Sequence, residues 1–149
     1  MSASAQDVAK LREQTGAGIM VCKEALSEAG GDFDKALEII KAKGIAKADK
    51  KSDREAGAGY LESYIHQGRV GVLLQVNAET DFVIRNQDFQ DMAKNLTLHI
   101  SAMLPETVED LLAQQYVKDP SLTVQEYVKS VIAKVGENIT IVKFTHYSV

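Results

Sequence analysis

The sequence lacks tryptophan, contains one cysteine, Cys22, and has only two prolines, Pro105 and Pro120. A single cysteine excludes an intramolecular disulfide and a zinc site made of several cysteines. Residues 1–10 contain no apolar stretch resembling a signal peptide, and no run approaches the ~18 apolar residues that a membrane-spanning helix needs. These absences predict a soluble protein of a reducing compartment, most simply the cytoplasm, with no membrane partner.

A concentrated basic surface is also missing from a chain whose formal net charge is −4. Residues 1–57 carry ten basic and ten acidic side chains, and residues 58–149 carry seven basic and eleven acidic ones. The basic residues between positions 47 and 54 are interrupted by acidic ones, which is typical of a solvated linker. Because binding to nucleic acid needs clustered cations, we expect no direct nucleic-acid partner.

What is present at the start of the chain is the pattern of three short helices. The first helix is expected to end at Gly16, and the second covers about residues 19–29, with apolar residues at helical spacing. Asp32 is placed to cap the third helix, and Gly44 is its expected C′ residue. Helices this short need one another for stability, so residues 1–45 are predicted to form a small bundle.

The rest of the chain mixes strand and helix patterns. Residues 60–65 and 70–76 predict a hairpin around a glycine-containing turn, and residues 139–147 predict a final strand. Helices are expected at residues 88–103, 108–115 and 123–135. The sequence therefore predicts an α+β fold. Its expected parts are a three-helix bundle over residues 1–45, a linker over 46–58, and a core domain over 59–149 with a small antiparallel three-stranded sheet packed with helices.

Groups able to perform covalent chemistry are scarce. His66, His99 and His146 have no metal-ligand spacing, and each is more typical of a surface or hydrogen-bonded histidine. Cys22 lies on the predicted buried side of a helix, where a thiol is unreactive. We therefore expect no catalytic residue, no metal and no cofactor, and interpret the chain as a protein that is not an enzyme.

Two segments have an unusual composition for their position, and the first is the turn at residues 15–18. This glycine-rich turn opens a helix but lacks the lysine of a phosphate-binding loop, so a tight helix–helix turn is the simpler interpretation. Ile19 and Met20 follow it directly. Two large apolar residues at a helix start predict either packing within the chain or a site for a protein partner.

The second segment, residues 79–86, joins a predicted buried strand to a helix and mixes acidic with apolar residues. From the residues alone, a strand–helix connection with Phe82 in the core is the favoured interpretation. The alternative is an exposed aromatic side chain beside Asp81 that enters a partner's pocket.

At these two segments the sequence resembles the elongation factor Ts family. Residues 11–26 match the family's N-terminal motif, residues 75–83 match its second motif, and residues 136–139 are also similar. Val21 and Gln75 depart from the acidic residues common at those positions. Family members often carry a second subdomain and a coiled-coil hairpin, for which this chain has no room, so it resembles a short form with a single core subdomain.

The resemblance implies a guanine nucleotide exchange factor that binds elongation factor Tu and promotes GDP release without covalent chemistry or a cofactor. One group of implied contact residues inserts near the magnesium and phosphate side of the nucleotide site; it comprises Thr80, Asp81, Phe82 and Val83. The other group belongs to the N-terminal bundle of ubiquitin-associated (UBA) type; it comprises Leu11, Arg12, Gly16, Gly18, Ile19 and Met20. The alternative is a UBA-like adaptor that binds another protein.

A homodimer is also expected. In the last strand Ile139 and Ile141 point to one face and, by simple alternation, Val142 and Phe144 point to the other. A sheet with helices on one side leaves one of these pairs exposed, and a second copy of the chain can cover it. The alternative is a monomer in which the predicted helix over 107–115 covers the second face.

Overall fold

The computed structural model describes residues 3–149, so residues 1 and 2 of the predicted first unit lie outside the described range. The helices are α1 Ala5–Thr15, α2 Ile19–Glu28, α3 Phe33–Asp49, α4 Asp81–Ile84, α5 Gln87–Met103, α6 Val108–Ala113 and α7 Val124–Val135. The strands are β1 Ala58–His66, β2 Val70–Ala78, β3 Gln115–Tyr116, β4 Asp119–Thr123 and β5 Ile139–Ser148. This mixture of helices with an antiparallel sheet confirms the predicted α+β class.

Helices α1 to α3 pack around their own apolar cluster. Leu11, Cys22 and Leu26 are almost completely buried in it, so the expectation of a buried thiol is confirmed. Ser4 and Asp32 accept hydrogen bonds from the first turns of α1 and α3 through their side chains, which satisfies backbone donors that a helix start leaves unpaired.

Helix α3 continues past Gly44 to Asp49, so the prediction that it ends at Gly44 is wrong. The reason is tertiary: this part of α3 packs against α7, where an ideal Cβ at Gly44 would lie 3.7 Å from the Cβ of Ala133, an ordinary contact distance. Farther along α3, Ala48 is buried in the main core, and the Asp49 carboxylate lies 2.9 Å from the Lys129 ammonium. Contact with α7 thus stabilises turns that a glycine alone would terminate.

The predicted boundary between the bundle and the linker, after residue 45, falls within α3. The first residues of the segment 46–58 are helical and packed, and α3 contributes side chains to both apolar clusters. The division into a bundle over 1–45 and a core domain over 59–149 remains a proposal.

Strands β1, β2 and β5 form the small antiparallel sheet that the sequence predicted, in the order β1-β2-β5, and β3 pairs with β4 in a separate hairpin. Residues 67–69 connect β1 to β2: Gln67 and Gly68 have positive φ angles of 52° and 68°, and the Arg69 backbone N–H donates to the His66 carbonyl at 2.9 Å. The inner face of the sheet packs on α5, where the rings of Tyr60 and Phe89 meet edge to face at 5.6 Å. The main core lies between this face and α5 to α7.

The last strand contains a β-bulge that changes the predicted faces. Gln75 pairs with Lys143 but Val76 pairs with Ile141, which leaves Val142 as the extra residue. Beyond the bulge, Phe144 lies opposite Leu74 and packs against the main core. The prediction that Phe144 shares a face with Val142 is therefore wrong.

The outer face of the sheet carries apolar side chains that stay exposed. Leu61, Ile65 and Tyr147 are 64%, 67% and 74% exposed, and Leu73 is 46% exposed. Helix α6 does not cover them, because its Leu111 is fully buried in the core on the opposite side of the sheet. The alternative in which residues 107–115 cover the second face is thus contradicted. We call these four exposed residues the outer sheet patch.

Candidate functional site

The first candidate contact segment is α4, a single turn between β2 and α5. Thr80 is its N-cap residue with extended backbone angles, and Asp81 is exposed. Phe82 is 82% exposed, whereas the next residue, Val83, is buried at 4% in the main core. The interpretation from residues alone that Phe82 packs in the core is wrong, and the exposed alternative is the observed one.

Two glutamates to which the sequence analysis assigned no individual role, Glu79 and Glu137, hold the start of this turn. The Glu137 carboxylate accepts hydrogen bonds from the Thr80 backbone N–H at 3.0 Å and from the Thr80 hydroxyl at 2.8 Å. In return, the Glu79 carboxylate accepts one from the Asn138 backbone N–H at 2.8 Å. The loop before α4 and the loop after α7 therefore bind each other through their carboxylates.

The second candidate contact segment is the turn from α1 into α2. Gly16 adopts the left-handed conformation at φ 69° and donates its backbone N–H to the carbonyl of Arg12 at 2.8 Å. Gly18 is the N-cap residue of α2. Ile19 and Met20 follow at 48% and 64% exposure, and the Arg12 side chain is also exposed. Of the two interpretations of Ile19 and Met20, the structure favours a surface available to a protein partner.

Two of the implied contact residues are buried rather than available. Leu11 has no exposed surface and lies in the bundle core, and Val83 lies in the main core. The expectation that these two side chains themselves touch a partner is corrected: Leu11 fixes α1 and Val83 fixes α4, each beneath exposed neighbours.

The end of α7 contacts the α1–α2 turn and the start of α5. An ideal Cβ at Gly16 would lie only 2.7 Å from Lys134 Cε, and Lys134 Nζ lies 3.2 Å from an Asp88 carboxylate oxygen at the start of α5. A cleft of about 530 Å³ lies between the bundle and α7, with Ile40 on one wall and Ser130 on the other. Lys134 near the end of α7 thus lies beside the α1–α2 turn, and the loop that follows α7 holds Thr80 through Glu137.

The histidines have hydrogen-bond partners in three different places. His99 is fully buried, and its Nδ1 accepts the Val117 backbone N–H at 3.1 Å, so the proton of the neutral ring resides on Nε2, 2.9 Å from the Gln114 amide oxygen. His66 contacts a tyrosine hydroxyl, and His146 contacts the carbonyl of Pro105. Burial lowers the pKa of His99, against the opposing effect of Gln114.

Within residues 3–149, no group of three or more His, Cys, Asp or Glu side chains is arranged to hold a metal ion. None of the helices in that range combines the length and apolar character needed to cross a membrane.

A family model and several similar proteins all indicate the same family. A family model described as "Elongation factor TS" matches residues 79–149, which begin at the loop before α4. The protein named "Elongation factor Ts, chloroplastic" from Phaeodactylum tricornutum is 38% identical over 190 positions, covering 96% of this chain and 94% of that protein. The "Elongation factor Ts" of Alkaliphilus oremlandii is 40% identical, covering the whole of this chain and 90% of that protein.

Relatives differ from this chain in length. The "Elongation factor Ts" of Nostoc sp. is 48% identical over 146 residues, which are 97% of this chain but 46% of that protein. The 190 positions of the Phaeodactylum alignment exceed the 149 residues of this chain by 41, so that relative carries at least this many residues without a counterpart here. The similarity nevertheless covers both exposed segments and the whole described fold, and the chain belongs to the elongation factor Ts family of translation elongation factors.

Proposed function

We propose that this chain is a guanine nucleotide exchange factor that binds elongation factor Tu and promotes GDP release by inserting the Asp81–Phe82 pair near the magnesium and phosphate side of its nucleotide site. The observation that carries the proposal is the 82% exposure of Phe82 on a turn anchored by the buried Val83. A large aromatic side chain held in water gains free energy when a partner's pocket encloses it.

The mechanism is linked binding and involves no covalent step and no cofactor. The factor binds the nucleotide-free form of elongation factor Tu more tightly than the GDP form. By thermodynamic reciprocity it weakens GDP binding by the same ratio, about tenfold for each 1.4 kcal/mol of difference. Phe82 supplies contact area, and the negative charge of Asp81 acts on the magnesium and phosphate side.

The α1–α2 turn supplies the second contact on elongation factor Tu. Ile19 and Met20 form an exposed apolar pair on α2, and the exposed Arg12 on α1 carries a positive charge. Binding through two segments of one rigid molecule lowers the entropic cost of inserting Phe82, because the bundle contact already orients the factor.

The exposed Ile19 and Met20 also favour a second candidate function, that of a UBA-like adaptor that binds some other protein through its bundle. The two functions differ in what the α4 segment contributes: an adaptor of this type does not need Phe82.

Relatives that carry the family name include bacterial proteins and a chloroplast protein. We propose that this chain acts in the cytoplasm or in an organelle matrix. We also propose that it acts as a homodimer whose interface covers the outer sheet patch.

The test of the proposed function is release of fluorescent mant-GDP from elongation factor Tu. We expect the chain to accelerate release in a concentration-dependent way while hydrolysing no GTP on its own. Tight binding to elongation factor Tu with no acceleration of release would favour the adaptor instead.

A further inference from the structure

The direction of Phe82 cannot be set by α4 alone. This helix has four residues, Asp81–Ile84, and a single turn is too short to hold itself in water. On its C-terminal side, the burial of Val83 and the hydrogen bond from Asn86 N–H to the Val83 carbonyl at 2.9 Å fix the chain. On its N-terminal side, the fixation comes from outside the segment, through Glu137.

The Glu137 carboxylate fixes both the backbone and the side chain of Thr80. One oxygen accepts the backbone N–H and the other accepts the hydroxyl, so the pair of contacts restrains rotation as well as position. Thr80 directly precedes Asp81 and Phe82. Freedom at the backbone of Thr80 therefore changes the direction in which Phe82 leaves the surface.

The loop that carries Glu137 is itself held firmly. Asn138 is buried at 6% exposure, and its side-chain amide donates to the carbonyl of Arg54 at 2.8 Å. Its backbone N–H donates to Glu79, directly before Thr80. Glu137 is thus presented from a fixed support, which is what a residue needs if it is to orient another.

We propose that Glu137 is a positioning residue for nucleotide release: its carboxylate restrains Thr80 and thereby holds Phe82 in the direction that enters elongation factor Tu. This inference rests on the proposed exchange function and deepens it. Without Glu137, water satisfies the partly exposed Thr80 groups, so the fold persists, but Phe82 samples several directions. The free-energy cost of fixing Phe82 in one direction then adds to the barrier of the step in which Phe82 enters the partner.

Three variants separate positioning from stability. Glu137→Ala removes both hydrogen bonds. Glu137→Gln keeps them, because the amide oxygen accepts the Thr80 N–H and the amide N–H donates to the Thr80 hydroxyl. Glu109→Ala removes an exposed carboxylate from α6, away from the contact segments, and is the matched control.

The measurement is the maximal rate of mant-GDP release at saturating factor, together with the factor concentration that gives half of it. Glu137→Ala should lower the maximal rate about tenfold, the equivalent of one net hydrogen bond to a charged group, while leaving the half-saturating concentration nearly unchanged. Glu137→Gln should restore most of the rate, and Glu109→Ala should match the parent protein. A parent-like rate in Glu137→Ala, when Phe82→Ala is slow, overturns the inference.

A double-mutant cycle shows whether Glu137 acts through Phe82. If it does, Glu137→Ala adds no further slowing once Phe82 is alanine; independent, additive losses contradict the inference. Amide hydrogen exchange of the free factor supplies a readout that does not depend on elongation factor Tu. Exchange at Thr80 should accelerate in Glu137→Ala and not in Glu137→Gln, and equal protection in all variants overturns the inference. Unchanged release by Phe82→Ala together with faster Thr80 exchange would instead locate the failure in the proposed function.

Discussion

At the scale of single residues, neighbouring side chains divide the tasks of support and contact. Val83 is buried and Phe82 beside it is exposed, and the same contrast separates Leu11 in the bundle core from Met20 on the bundle surface. Buried members of such pairs determine stability, whereas exposed members are free to determine binding. Substitutions at the two kinds of position should therefore affect different measurements.

For the bundle, Met20→Asp should weaken the complex with elongation factor Tu while leaving the melting temperature nearly unchanged. The side chain is 64% exposed, so a charge there meets water in the free protein and an apolar contact in the complex. Leu11→Ala is the matched comparison and should destabilise the protein by about 2–5 kcal/mol, because it opens a cavity in a filled core. Calorimetry of both variants and titration with elongation factor Tu check the pair, and a large drop in melting temperature for Met20→Asp would contradict it.

Buried His99 gives the stability a defined pH dependence. Its folded pKa is lowered from 6.5, so below pH 6.5 the unfolded chain binds more protons than the folded one. The contribution of His99 is therefore complete above pH 6.5 and declines as the pH falls towards the folded pKa, by at most about 1.4 kcal/mol per pH unit. Protonation would also place a proton on Nδ1, which now accepts the Val117 N–H.

Urea denaturation between pH 7.5 and 5.5 measures this effect. His99→Gln should remove the part of the decline that belongs to His99, whereas His66→Gln, in the β1–β2 hairpin, should retain it. An equal decline in both variants would show that other groups carry the pH dependence.

At the scale of secondary-structure elements, α3 is the connection between the two apolar clusters. Ala36 and Ile40 belong to the bundle cluster, and Ala48 belongs to the main core. The contact at Gly44 and the ion pair between Asp49 and Lys129 attach the far end of the helix to α7. The helix therefore fixes the position of the α1–α2 turn relative to the sheet.

Two glycines provide a matched test of this arrangement. Gly44→Ala should stabilise the protein by about 0.5–1 kcal/mol, because Gly44 lies inside a helix and the added Cβ would meet Ala133 at an ordinary contact distance of 3.7 Å. Gly16→Ala should destabilise it, because φ is 69° and the added Cβ would lie 2.7 Å from Lys134 Cε. Thermal unfolding of both variants measures the effect. A destabilising Gly44→Ala would mean that α3 and α7 pack more tightly than described.

At the scale of the whole molecule, the outer sheet patch is an apolar surface that no element of the described fold covers. Leu61, Ile65, Leu73 and Tyr147 occupy one face of the sheet, on the side away from α5. Contiguous exposed apolar side chains of this kind mark interaction surfaces. A two-fold contact with a second copy buries the patch on both chains at once.

Sedimentation equilibrium at micromolar concentration should give a mass near twice the 16.3 kDa of one chain. Ile65→Lys should dissociate the dimer without unfolding it, because this side chain is 67% exposed on the outer face, and Val117→Lys, on the β3–β4 hairpin, is the matched control. Phe144→Lys should instead destabilise the fold, because the bulge places Phe144 against the main core. A mass of one chain across the concentration range refutes the dimer.

Much of this fold was predictable from the sequence because its local patterns are strong. The capping residue Asp32 and the hairpin turn at Gly68 lie where their residue types predict. The errors come from tertiary effects without a local pattern. Contact with α7 overrides Gly44, and a one-residue bulge at Val142 turns Phe144 inward.

The candidate site was predictable only in part, and for a related reason. Phenylalanine is a residue type common in cores, so the residues alone favoured burial of Phe82. The family resemblance indicated instead that Phe82 is exposed, and the structure shows it exposed. The hydrogen bonds of Thr80 to Glu137 join residues 57 positions apart, a pairing that no spacing within the sequence predicts.

The maximal rate of mant-GDP release from elongation factor Tu with the Phe82→Ala factor tests whether Phe82 drives release. Burying a phenylalanine is worth ~1.5–3 kcal/mol, so the rate should fall by about one to two decades. Asp81→Ala should slow release more modestly, and Val117→Ala, which shortens an exposed apolar side chain elsewhere, should have no effect. A folded Phe82→Ala protein that promotes release as fast as the parent would contradict this role of Phe82.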